Sequence, residues 1–152
     1  MGIFDFLNPS AAPLARATVR LTEIAGRVEA LADRLARHAE MCSLPTMRTG
    51  VAEVAEAQRG HLKVLKTILA DLDAWPRPPA SLAHEGLNNW ERLSGDLDEL
   101  IEIAADTGRA MLAWEHVDAR TAETLGEIAA EDSPTTEKLR RIALKCDPQA
   151  LD

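Results

Sequence analysis

Five polar residues stand on helix faces that are otherwise aliphatic: His38, Gln58, His61, Glu115 and Asp118. A polar side chain turned toward a core costs free energy unless something satisfies it. Histidine and carboxylates that meet inside a bundle have two uses. They can hold a transition metal through imidazole nitrogen and carboxylate oxygen. They can also form a hydrogen-bond network that pins the register between helices. Gln58 and His61 are three residues apart, as are Glu115 and Asp118, so each pair shares one helix face. The expectation is one buried polar layer of Gln58, His61, Glu115 and Asp118. His38 is expected half-exposed, capping the C-terminus of its helix. His84 and His116 read as exposed or flanking. No Ser or Cys falls in the layer, so a nucleophile–histidine pair has no basis there. The glycines follow no phosphate-binding pattern.

The elements that must position these residues are helices. Leu21, Ile24, Val28, Leu31 and Leu35 step by threes and fours, which predicts a helix from about 14 to 42. Ser43-Leu44-Pro45-Thr46 breaks it, because proline cannot sit inside a helix and restrains the residue before it. Met47, Val51, Val54, Gln58, His61, Leu65, Ile68 and Leu72 predict a second helix to about 73. The short turn makes the pair an antiparallel hairpin over 14–73. Trp75-Pro76-Arg77-Pro78-Pro79 is a stiff linker, 75–79. The second half, 80–147, reads as a short helix to Leu93, a break at Ser94-Gly95-Asp96, and a long helix to about Glu131. A last short helix then starts at Ser133-Pro134, an N-cap serine with proline at the first position. The fold class expected is all-α and antiparallel four-helix-bundle-like, a long N-terminal hairpin plus a second half with shorter helices. It has three continuous columns and a fourth split between the short helices. Residues 14–147 read as a single domain, with an apolar arm at 1–13 and a tail at 148–152.

The chain has 152 residues, enough for one core without staples. Its formal charge of −8 argues against a nucleic-acid surface, which needs clustered Lys and Arg. The best basic stripe, Lys138, Arg141 and Lys145, complements its own helix terminus. No stretch is long and apolar enough to span a membrane. Cys42 and Cys146 read as reduced thiols rather than a disulfide pair, which points to the cytoplasm. The arm carries Phe4 and Phe6 and packs on the bundle or on a partner. Trp75 at the mouth of the linker either clamps the hairpin or faces a partner.

The hairpin of long helices, the stiff crossover and the second helical half resemble the ferritin-like, rubrerythrin-type bundles. The segment Glu53-Val54-Ala55-Glu56-Ala57-Gln58-Arg59-Gly60-His61-Leu62 is similar to that family's second-helix motif, with Gln58 where the motif has glutamate. The later segment Trp114-Glu115-His116-Val117-Asp118 offers Glu115 with Asp118, similar to the family's other Glu-x-x-His pair without its histidine. The resemblance implies a di-iron or di-manganese site built from two lone glutamates and two Glu-x-x-His pairs. In this chain the ligands it points to are His61, Glu115, Asp118 and a hairpin carboxylate, Glu29 or Glu23. Iron, manganese or zinc is then the metal. With both motifs incomplete, the residues alone favour a non-enzymatic module without cofactor. Such a module would bind a protein partner or itself, and the metal-binding bundle is the alternative.

Overall fold

The computed structural model describes residues 11–80 and 85–148. Four helices make up the bundle: α1 Ala11–Met41, α2 Pro45–Asp71, α3 Asn89–Trp114 and α4 Ala119–Leu144. No strand occurs among the described residues. α1 packs on α2 and on α3, and α4 packs on α3 and on α2. The short turns make α1–α2 and α3–α4 antiparallel, and contacts at two levels make α1–α3 and α2–α4 antiparallel as well, Arg34 meeting Asp96 and Gln58 meeting Asp132 beyond the ion pairs that follow. Lys66 of α2 meets Glu29 of α1, Arg27 of α1 meets Glu99, Glu102 and Asp106 of α3, and Lys138 of α4 meets Glu53 of α2.

Each helix has a local reason to begin where it does. α2 starts with Pro45 in its first turn, where the missing N–H loses nothing. Asn88 caps α3 by accepting from the Glu91 amide at 2.9 Å, and Glu91 reaches back to accept from the Leu87 amide at 2.6 Å. Asp118 caps α4, accepting from the Thr121 amide at 3.2 Å and from its hydroxyl at 2.6 Å. That hydroxyl bond holds the Asp118 carboxyl below its ordinary range.

The core is aliphatic. Leu21, Leu31, Leu35, Val51, Leu65, Leu69, Leu100, Leu125 and Leu139 are fully enclosed, with Trp114 at the end near the α3–α4 turn. Truncating one of these leucines to alanine costs about 2–5 kcal/mol. The crossover leaves α2 at Leu72 and climbs along α1. The Arg77 amide donates to the Thr22 carbonyl at 2.9 Å, and further along Glu85 pairs with Arg37 at 2.7 Å. Gly26 permits this path, because a Cβ there would collide with the Arg77 carbonyl.

The first two helices match their expected bounds within three residues. The second half differs from the expected pattern. α3 runs through Ser94-Gly95-Asp96 without a break, and Leu87 is exposed ahead of the cap. α4 runs through Ser133-Pro134. The chain turns instead at 115–118, where Asp118 offers a cap that outcompetes the Ser-Pro signal. All four columns are therefore continuous, and the split fourth column does not form.

Candidate functional site

The interior is not wholly apolar. Two polar clusters are buried in it, each joining one helix of the first hairpin to one of the second. The α2–α4 cluster holds Gln58, His61 and Asp132, all at most 5% exposed. Gln58 Nε2 donates to Asp132 Oδ1 at 3.0 Å. His61 Nδ1 lies 3.3 Å from the same oxygen, off the line of a hydrogen bond, while Nε2 meets Glu131 Oε2 at 2.8 Å. Glu131 reaches in from the surface and is mostly exposed. Gln58 Oε1, His61 Nδ1 and Asp132 Oδ2 are buried without a hydrogen-bond partner. Burial works against charge on the His61 imidazole, but the Asp132 and Glu131 carboxylates outweigh it and raise its pKa.

The α1–α3 cluster holds Arg34, His38 and Asp96. Asp96 is fully buried and accepts from Arg34 Nε at 2.6 Å, and its other oxygen meets His38 Nδ1 at 2.5 Å. Arg34 and His38 stand four apart on α1, so both reach the same carboxylate from successive turns. His38 is 2% exposed, which overturns the expected half-exposed cap.

Gln58 and His61 lie together and buried, as expected. Glu115 and Asp118 do not join them: both are exposed in the turn between α3 and α4, where Asp118 is the cap of α4. Reading one long helix through this turn is what put them on a seam. Glu29 is half-buried and paired with Lys66 at 3.0 Å, and Glu23 sits at the surface opposite Arg77. Neither turns into the core. Trp75 is 72% exposed and clamps nothing. Phe4, Phe6 and His84 lie outside the described residues. Cys42 is buried, Cys146 is half-buried, and both thiols are free.

Sequence reasoning missed Asp96, Asp132 and Arg34. A signal was present for two of them. Asp96 lies three residues after Leu93 and four before Leu100, and Asp132 lies four after Ile128, both in step with buried positions. Each was assigned to a supposed helix break instead.

No protein-family model matches the sequence, and no curated protein matches it. Among solved structures the chain is similar to a mycobacterial bacterioferritin, with a TM-score of 0.74 at 15% identity, covering 88% of this chain and 94% of that one. The fold is the ferritin-like four-helix bundle. None of the described helices is long and apolar enough to cross a membrane.

The donors present decide what such a bundle could hold. A pair of metals needs four carboxylates and two histidines. Here the buried residues of α1 include no carboxylate, and the one on α3, Asp96, is already taken by Arg34 and His38. Among the described residues no group of three or more His, Cys, Asp or Glu is arranged around a metal position. A di-metal site does not fit the described residues. In the α2–α4 cluster the atoms left unpartnered are one histidine nitrogen, one amide oxygen and one carboxylate oxygen, with Glu131 at the rim.

Proposed function

We propose that the chain is a ferritin-like metal-binding protein that holds a single divalent ion at Gln58, His61 and Asp132, not a metal pair. One observation carries this reading. Among the described residues Asp132 is a fully buried carboxylate with no guanidinium or ammonium partner, and its Oδ2 has no hydrogen-bond partner. A buried charge in that state calls for a cation. The mixed nitrogen and oxygen set suits zinc, manganese or iron(II), with Gln58 as a weak donor. The bound ion would supply a Lewis-acidic centre. The chain's own residues orient it: Gln58 Nε2 holds Asp132 in place, and Glu131 fixes the ring of His61. The free thiols are in keeping with the cytoplasm.

Metal analysis of protein purified without chelator tests the proposal. The expected result is up to one ion per chain and a melting temperature that rises with added zinc or manganese, both lost in His61→Ala. Apo protein whose melting temperature ignores all three metals sinks it.

A second reading is a module that binds a protein partner or itself. The exposed Trp75 on the crossover supports it, since tryptophan is enriched where partners dock. A Trp75→Ala variant that leaves the sedimentation profile and captured partners unchanged rejects that role for Trp75.

A further inference from the structure

A groove opens at the end of the bundle where α1 begins, away from both polar clusters. It lies between the first turn of α1, the C-terminal end of α2 and the start of α4, with a volume of about 1080 Å³. Pro13, Leu14, Val64, Ile68, Leu72 and Trp114 form its apolar wall. Trp114 is 1% exposed, yet its indole Nε1 has no acceptor. A buried tryptophan N–H ordinarily finds a partner, so the wall carries an unanswered donor.

We propose that this groove is the docking site of the chain's own residues 1–10. Their apolar side chains would lie on its wall, and a main-chain carbonyl would accept from Trp114 Nε1. Three observations choose this occupant over a separate molecule. The groove includes Pro13 and Leu14, so the preceding segment is attached at its rim. That segment, which lies outside the described residues, has Ile3, Phe4, Phe6 and Leu7 among its ten. Ten residues reach at most about 35 Å, ample for a cleft that starts three residues away. A tether this short also holds the segment at an effective concentration in the millimolar range, which an untethered partner would have to exceed. The groove is built from the two hairpins, so a docked arm would bridge α1, α2 and α4.

The test uses the full chain carrying Phe4→Ser and Phe6→Ser, in a background with Trp75→Phe and Trp90→Phe so that Trp114 alone reports. Relative to the same background with both phenylalanines, we expect several-fold more binding of an apolar dye, stronger quenching of Trp114 by acrylamide and a lower melting temperature. Helix content by circular dichroism should be unchanged. A synthetic peptide of residues 1–10 should reverse the dye binding and the quenching saturably, and a peptide with both serines should not. Equal quenching and dye binding in the two proteins would overturn the proposal. So would protection of Trp114 that appears only as protein concentration rises and a dimer forms, because a second copy would then fill the groove.

Discussion

The two buried clusters are built from similar parts and reach different states. Each sets a histidine and one further polar group from the first hairpin against an aspartate from the second. In the α1–α3 cluster the further group is Arg34, whose charge is permanent, and Asp96 is answered on both oxygens. In the α2–α4 cluster it is Gln58, which is neutral, and Asp132 keeps an unanswered oxygen. A guanidinium beside a carboxylate is a closed arrangement with no place for a cation. An amide beside a carboxylate is open to a proton on His61 or to a metal. One residue type thus separates a structural ion pair from a candidate site within one fold.

The largest effect should come from opening the closed cluster. Arg34→Met leaves the Asp96 charge buried with only His38 to answer it. The expected loss is about 3–5 kcal/mol of unfolding free energy by denaturant titration. Single losses for Arg34→Met and Asp96→Asn that add up to the loss of the double variant would mean the pair is not coupled. Gln58→Glu should come next. It restores the Glu-x-x-His spacing but sets a second carboxylate against Asp132, 3.0 Å from where the amide nitrogen now donates. Without metal the variant should lose about 1–3 kcal/mol at neutral pH. With zinc or manganese it should recover that loss and bind more tightly than the parent. Destabilisation that metal does not relieve would count against the α2–α4 cluster as a metal position.

The smallest effect is a pH slope. His61 has a folded pKa raised above its ordinary value of about 6.5 by Asp132 and Glu131. Its contribution to stability is therefore complete below that value and is lost as pH rises through the folded pKa. Stability followed from pH 6 upward should decline in the parent and decline less in His61→Gln. Identical slopes would show that the open cluster does not take up a proton on folding.

The first hairpin was legible in the sequence because two independent signals agreed there. The three-and-four stepping of Leu21 to Leu35 and of Met47 to Leu72 ended at the same Pro45 break, and Gln58 and His61 followed onto the inner face. In the second half the signals conflicted. Ser133-Pro134 and Ser94-Gly95-Asp96 are good local helix starts, yet tertiary packing carries α4 and α3 straight through them, and a proline inside a helix is tolerated where the neighbours hold it. The same error hid the site, because Asp96 and Asp132 become inner-face residues only when those helices are continuous. Partnership across helices, such as Arg34 with Asp96, has no local signature and appears only in three dimensions.

The crossover has a consequence for how this fold can change over time. It meets α1 main chain to main chain, through the Thr22 carbonyl and over Gly26, with the Arg77–Glu23 and Glu85–Arg37 ion pairs beside that contact. A single methyl group at position 26 closes the track. Part of the route between the two hairpins is therefore stored as an absence on α1.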